Sequence, residues 1–460
     1  MGTPRTSAES GIVQLLAKHN QRHLIRHLGS VDRVIRKTLL EQLSTVDLDS
    51  FFHSVREGPK NANTVATIDS ISGLDPVIAP LDRSMVHRLS DRTTEADKAS
   101  FLRGLEKIAT GKVAACVLAG GQGSRMGLAM DESKGMLEIA SNTFVFEIFV
   151  KRLARLRVLA IEQLCVNVPA IPFLIMTSPL NHNKTLEFLA RHENFGYDAI
   201  SVFTQGTLPA VSLTGELLLE SPESLVLAPD GNGGIYRALA ESGNLRKLQS
   251  AGVEILHVFS VDNILSRVLD PVVIGNFNAD VANKVVWKRE AREKVGVFGV
   301  KNGKVSVIEY SDLVNPELNV YHPVVDAVDE TGSLVLGAGN ICSHFYSLKF
   351  LDQVIPKLQR SLHLAVKKIP HYDLNSEAFV GTPEVNNGVK LEAFIFDAFE
   401  EAGTVQLFEV DRIEEFCPMK NLTGEDSLES GNKLWLASQE AAAKTGKLWS
   451  QIYPGEQCLL

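Results

Sequence analysis

The chain reads as an α/β protein with a mixed, mainly parallel sheet, a helical N-terminal unit and a small C-terminal α+β unit. Three observations carry that reading. Helical periodicity marks the first part of the chain, short β-rich runs alternate with longer amphipathic stretches from Val113 onward, and one Asn-Gly hairpin signal falls late in that alternation. The expected units are 1–105, 106–402 and 403–460.

In the first unit Val31, Val34, Ile35, Leu39 and Leu43 recur at helical spacing after Ser30, the expected N-cap. Gly58 to Leu81 is polar and punctuated by Pro and Gly, a connecting excursion, and a helix near Glu95 to Ala109 stops at Gly111. Expected strands are Val113 to Leu118, Phe173 to Thr177, Ile200 to Thr204, Leu225 to Ala228 and Ile255 to Val261. Helices Phe144 to Leu156 and Asn183 to His192 fall between them. Val295 to Val300 and Val305 to Tyr310 flank Lys301-Asn302-Gly303-Lys304, a two-residue hairpin turn. Helices are then expected around Ser347 to Lys367, and through Leu391, Phe394, Ile395, Ala398 and Phe399 to a stop at Gly403.

Length and charge narrow the function. The 460 residues carry 46 Lys and Arg against 55 Asp and Glu, a net charge of 46 − 55 = −9, with no basic tail. Bulk binding to nucleic acid or anionic lipid needs clustered excess positive charge, so neither is expected. No apolar run approaches the ~20 residues of a membrane span and the N-terminus lacks the layout of a signal peptide, so a cytoplasmic protein is expected. The opening Met-Gly fits the loose myristoylation pattern, which a lone short match does not establish. Five widely spaced cysteines give neither a disulfide framework nor a zinc knuckle, and the histidines His182 and His192, His363 and His371 lack a tight metal-ligand spacing.

The most informative segment is the strand Val113 to Leu118 running into Ala119, Gly120, Gly121, Gln122, Gly123, Ser124, Arg125, Met126 and Gly127. Successive glycines let backbone approach a phosphate or a flat base and aim N–H groups at it. Gly121-x-Gly123-x-x-x-Gly127 is not the dinucleotide fingerprint, and no P-loop pattern occurs. A bare tight turn is the bland alternative; Arg125 inside the loop and Lys134 after it weigh toward a polyphosphate.

This loop, closed by Lys134-Gly135, resembles the nucleotide-binding signature of the sugar nucleotidyltransferases, and in its Gly-Gln-Gly form that of the eukaryotic UDP-N-acetylglucosamine pyrophosphorylases. Further segments match the family in its order: Phe203 to Ala210, Ala228 to Arg237, Val261 to Asn263, Val307 to Ser311, Gly337 to Asn340, Asn387 to Lys390 and Pro418 to Asn421. The similarity runs from about Lys112 to Asn421. One departure stands out: the family closes its first motif with Pro-Lys-Gly, whereas this chain has Asp131-Glu132-Ser133-Lys134-Gly135, about two residues longer and adding two carboxylates.

The resemblance implies a Rossmann-like nucleotidyltransferase domain and transfer of uridylyl from UTP to N-acetylglucosamine 1-phosphate, with Mg²⁺ as cofactor and a monomer or weak homo-oligomer as the working form. It implies that Leu118, Ala119, Gly120 and Gly121 hold the uridine and its phosphates, that Arg125, Lys134 and Lys420 are catalytic, and that Lys390 reaches the phosphates. By the same analogy Gln205 reads the uracil edge with Gly231 near the base, and Asn232, Glu309 and Asn340 hold the sugar. Asp262 then contacts the nucleotide and binds the metal. Each has a plainer alternative: a turn cap for Asp262, a loop amide for Gln205, a cross-strand surface charge for Glu309, and surface lysines at 390 and 420. At the expected N-terminus of the helix from Leu391, Lys390 opposes the helix dipole, which an anionic ligand would relieve. Two alternative functions remain at this stage, a UDP-glucose or broad UDP-sugar pyrophosphorylase and a non-catalytic nucleotide-sugar binding paralogue.

Overall fold

The computed structural model describes residues 7–57, 78–89, 94–121, 123–129, 131–139, 142–301, 303–315, 320–358 and 362–445. Most of the excursion from Gly58, together with Gln122, Asn302, Cys458 and the N-terminal Met-Gly, lies outside the described residues. Contacts group the chain into two units that exchange segments: Met1–Ala66, Gly206–Gly234 and Leu358–Ile395 form one, and Thr67–Gln205, Ile235–Lys357 and Phe396–Leu460 form the other. These boundaries differ from the linear ones read along the sequence, because segments far apart in the chain share a core.

The first unit is built on four helices, Ser7–Lys18, Arg22–Ser30, Arg33–Ser44 and Leu48–Glu57. Their apolar faces bury Leu16, Leu24, Leu39, Leu43 and Phe51 against Leu217, Leu219, Leu225 and Leu391. The third helix is capped by Asp32, whose carboxylate accepts from the backbone N–H of Val34 and Ile35; Ser30, the expected cap, ends the helix before it. Side-chain amides fix these helices to the segment they cover: Gln21 donates to the Gly215 carbonyl and accepts from Leu217 N–H, and Gln42 accepts from Leu225 N–H.

Two expected helices are broken up here, each in part by a strand. Within Ser347 to Lys367 the α-helix described is Leu348–Val354, and His363–Lys367 pairs antiparallel with Gly388–Glu392. The helix expected from Leu391 is instead the end of that strand followed by a 3-10 turn, Ile395–Glu401. The helical spacing misleads because its residues serve two cores: Leu391 joins the first unit's cluster, while Phe399 stacks on Phe298. Likewise Leu225 and Ala228 belong to small antiparallel sheets and not to the parallel one.

In the second unit the main sheet runs in the order Val86–Arg88, Val405–Glu409, Val281–Trp287, Ala338–Ser347, Ile255–Ser260, Val113–Leu118, Phe173–Thr177, Ile200–Thr204. The last four are mutually parallel, as are the first three, and Ala338–Ser347 runs antiparallel between the groups. The near-continuous apolar run Val113–Leu118 is what a strand covered on both faces requires, and every residue of it is buried. The helix Glu95–Ala109 packs so closely on Pro271–Asn276 that a Cβ at Gly104 would lie 1.9 Å from the Pro271 carbonyl oxygen. The hairpin forms as its sequence predicts, with Lys301 opposite Lys304 and Gly303 at φ +78°.

Residues after 402 do not form a separate unit. Val405–Glu409 enters the main sheet parallel to Val281–Trp287, and Trp435 of the helix Leu428–Thr445 is buried in the main core. The parallel strands Val113–Leu118, Phe173–Thr177 and Ile255–Ser260 end together, so the loops that begin at Ala119, Ser178 and Val261 leave the same end of the sheet. In an open α/β sheet that end is where ligands gather.

Candidate active site

The glycine loop is held from beneath by its neighbours. The Ala119 N–H donates to the Met176 carbonyl, and the Ala119 carbonyl accepts from Ser133 Oγ at 3.2 Å and Asn181 Nδ2 at 3.0 Å. Gln205, buried, donates its N–H to the Thr177 carbonyl and lies over Gly120 so closely that a Cβ there would sit 2.1 Å from Gln205 Oε1. Gly120 is therefore glycine because an amide side chain occupies the space of its Cβ. Gly121, by contrast, is open on that side, with nothing within 4 Å of where its Cβ would be. Arg125 is exposed in the short turn Ser124–Met126, and Gly127 at φ +73° completes that turn.

Lys134 and Asp262, assigned separately from sequence, meet in space. Lys134 Nζ donates to Asp262 Oδ1 at 2.8 Å and to the Met419 carbonyl at 3.0 Å, and the lysine is only 8% exposed. Met419 N–H in turn donates to the Asp262 carbonyl at 2.9 Å, which brings the segment carrying Lys420 onto the same loop. Asp262 thus answers a lysine, not the bare turn that its sequence also allowed. The longer loop before Lys134 is accommodated by Lys184, whose Nζ pairs with Asp131 Oδ1 at 3.1 Å and Glu132 Oε1 at 3.0 Å. Its hydrogen bond holds the Glu132 carboxyl below the usual range, helped by the Ala129 N–H. The two added carboxylates are spent on Lys184 and leave Lys134 to Asp262.

Glu309 and Asn340 form a second group around Gly296. Asn340 N–H donates to the Gly296 carbonyl at 2.8 Å, and a Cβ on Gly296 would lie 3.1 Å from Glu309 Oε1. Asn340 Oδ1 accepts from Cys342 N–H at 2.9 Å. Burial pushes the Cys342 thiol up to about 12; the charges of Asp262 and Glu309 add to the rise and Lys420 opposes it.

Gly231, Asn232 and Lys390 belong to the first unit. Gly231 has φ +87°, and a Cβ there would lie 2.4 Å from the Ala393 carbonyl oxygen. Asn232 Oδ1 accepts from Ile395 N–H at 2.9 Å. Lys390 lies in the strand Gly388–Glu392 opposite Ala365, so the helix-dipole argument for it falls away.

Sequence reasoning missed three groups of the second unit that hold the glycine loop or Lys134, namely the Met419 carbonyl, Ser133 and Asn181, and it missed one carboxylate of the first unit, Asp230. Asp230 is buried, with its carboxylate where Cβ atoms of Gly206 and Gly234 would be, at 2.6 and 2.0 Å. Its place between those glycines was the only available signal. For a metal, the described residues contain no group of three or more His, Cys, Asp or Glu able to hold one unaided. Magnesium needs no such cage, since one carboxylate plus substrate phosphates suffices, and Asp262 is a partly exposed hard ligand that fits.

The chain is similar to known proteins over most of its length. Residues 48–447 match the family model described as UTP–glucose-1-phosphate uridylyltransferase. UDP-N-acetylglucosamine pyrophosphorylase of Saccharomyces cerevisiae is 34% identical over 449 residues, 95% of this chain and 90% of that protein. UDP-N-acetylglucosamine diphosphorylase 2 of Arabidopsis thaliana is 34% identical over 448 residues, 94% of this chain and 84% of that protein. The crystal structure of the uridine diphosphate N-acetylglucosamine pyrophosphorylase from Trypanosoma brucei superposes with a TM-score of 0.77 at 25% identity, covering 100% of this chain and 91% of that one. With the glycine loop, its paired lysine and carboxylate, and a matching sequence over most of its length, the chain belongs to the UTP–glucose-1-phosphate uridylyltransferase family.

Proposed function

We propose that the protein transfers uridylyl from UTP to N-acetylglucosamine 1-phosphate, giving UDP-N-acetylglucosamine and pyrophosphate. The observation that carries the reading is the Lys134–Asp262 pair beneath the glycine loop, in a family of uridylyltransferases whose similar members are named for this sugar. The relatives' names favour the acetamido sugar over glucose. The ionic groups are retained, which disfavours a non-catalytic paralogue.

The second pKa of a phosphomonoester is about 6, so the sugar phosphate is already a dianion near neutral pH and needs no general base. A sugar-phosphate oxygen attacks the α-phosphorus in line, the bond from that phosphorus to the bridging oxygen breaks, and pyrophosphate leaves with its electron pair. The barrier lies in bringing polyanions together and in charge at the α-phosphorus, so positioned cations and backbone N–H groups do the catalysis. In this reading Lys134 is aimed by its two acceptors before substrate arrives, and Arg125 and Lys420 neutralise the triphosphate and the departing pyrophosphate. Gln205 offers the donor and acceptor that an imide-bearing base requires. Glu309 and Asn340 bind the sugar. Asp262 would hold Mg²⁺, which when bound supplies positive charge to the phosphate oxygens. The assignment of Gly231, Asn232 and Lys390 rests on the resemblance alone.

Among the described residues no helix is long and apolar enough to cross a membrane. We place the enzyme in the cytoplasm, working as a monomer or weak homo-oligomer. Pyrophosphate release from UTP with a panel of sugar 1-phosphates tests the function. Turnover with N-acetylglucosamine 1-phosphate above that with glucose 1-phosphate supports it, and no release with any sugar refutes it.

A further inference from the structure

The segment that carries Lys420 is joined to the loop that carries Asp262 by more than the Met419 contact. Asn263, 2% exposed, grips that segment with both ends of its amide: Nδ2 donates to the Glu415 carbonyl at 2.7 Å and Oδ1 accepts from Cys417 N–H at 2.9 Å. Asn263 also pairs with Pro418 as an isolated antiparallel bridge. The side chain of Glu415 itself, 1% exposed, is buried between two cations. Its Oε1 meets Arg267 NH1 at 3.1 Å and its Oε2 meets Lys284 Nζ at 2.6 Å. Lys284 also holds Asp270 at 2.6 Å, and Arg267 NH2 reaches Glu414 at 2.5 Å.

The cluster thus binds the loop 262–270 and the segment 411–420 to one sheet strand through Lys284. Two cations, Arg267 and Lys284, face three carboxylates, Asp270, Glu414 and Glu415, and hydrogen bonds fix their geometry. Such an arrangement is weak evidence for added stability and better suited to fixing register. Register matters at this place. The Met419 carbonyl must point at Lys134, and the next residue is Lys420; a slip of one residue would turn the carbonyl away and send the Lys420 side chain to the opposite face.

We propose that Asn263, backed by the buried pair Glu415–Lys284, is a positioning residue that sets the register of residues 417–420 and thereby aims Lys420. The inference rests on Lys420 acting in the reaction. A double-mutant cycle in pyrophosphate release separates the two. The variants are Asn263→Ala, Lys420→Ala and the pair, each measured for kcat, for KM of both substrates and for thermal midpoint.

If Asn263 acts through Lys420, Asn263→Ala lowers kcat on the order of tenfold or more alone and causes little further loss once Lys420 is alanine. Multiplying losses, or an unchanged kcat in Asn263→Ala, overturn the inference. Full activity in Lys420→Ala overturns the role of Lys420 and the inference with it. Should Asn263→Ala fail to fold, Asn263→Asp keeps the acceptor for Cys417 N–H while it replaces the donor to Glu415 with a carboxylate oxygen. It is expected to lower kcat with the same non-additivity, and wild-type kcat in that variant also counts against the proposal.

Discussion

Lys134 and Asp262 stand 128 residues apart in the chain and 2.8 Å apart in the structure, joined at the C-terminal end of two adjacent parallel strands. Their pairing, with the Met419 carbonyl as a second acceptor, holds a nearly buried cation in place.

Lys134→Ala is expected to lower kcat on the order of 10²-fold, about 3 kcal/mol of transition-state stabilisation, with the fold retained by circular dichroism. Lys134→Arg should recover little of it, because a planar guanidinium does not reproduce a point charge held between two acceptors. Steady-state pyrophosphate release measures both; wild-type turnover in the alanine variant would remove Lys134 from the mechanism.

Two neighbouring glycines predict opposite outcomes. Gly120→Ala would put a methyl group 2.1 Å from Gln205 Oε1, so the amide proposed to read uracil must move; KM for UTP should rise and stability fall by about 1–3 kcal/mol. Gly121→Ala meets nothing within 4 Å and should leave stability nearly unchanged. Equal stability loss in the two variants, read by thermal midpoints, would contradict the packing argument.

Lys184 holds the lengthened loop through a partly exposed ion pair, so its influence should be screened by salt. Lys184→Ala is expected to raise KM for UTP a few-fold at low ionic strength and to differ less from wild type at 0.5 M salt or so. The Glu132 carboxyl is depressed in the fold, so the pair persists above its ordinary value of 4.5 and is lost as pH falls through the lower folded value. A KM ratio independent of salt would contradict this role.

Asn340→Asp tests the sugar side. The Asn340 Oδ1 already accepts from Cys342 N–H, which leaves the amide N–H groups as the donors for a ligand. The aspartate keeps the acceptor and loses the donors, so KM for the sugar phosphate should rise on the order of tenfold while KM for UTP stays near wild type. A rise in both would make the residue structural.

The buried histidines His257 and His344 give a pH signature of stability. Burial lowers His257 well below 6.5 and His344 to about 3, so both are neutral in the fold near pH 7. The unfolded chain binds more protons below about pH 6.5, so stability is complete above that value and is lost as pH falls toward the folded values. The slope is up to about 1.4 kcal/mol per pH unit for each histidine. Urea midpoints between pH 6.5 and 4.5 should show it, and His344→Phe should flatten it; an unchanged slope would show that His344 does not contribute.

Much of the architecture was legible because the parallel strands are continuous apolar runs and the hairpin announces itself by Asn-Gly. The reading failed where one periodic segment feeds two cores, as from Leu391 to Phe399, and where pairing partners are remote, as for Val405–Glu409 in the main sheet. At the site the glycine loop and its lysine were readable from residue type and spacing. The Met419 carbonyl and the Asn263 clamp were not, since a backbone acceptor carries no sequence signal and a buried asparagine looks like any loop amide.

The central claim is uridylyl transfer to an acetamido sugar phosphate, and the reverse reaction tests it most directly. With pyrophosphate and Mg²⁺, UTP should form from UDP-N-acetylglucosamine at least about tenfold faster than from UDP-glucose at equal concentration. Faster formation from UDP-glucose, or none from either, would contradict the account.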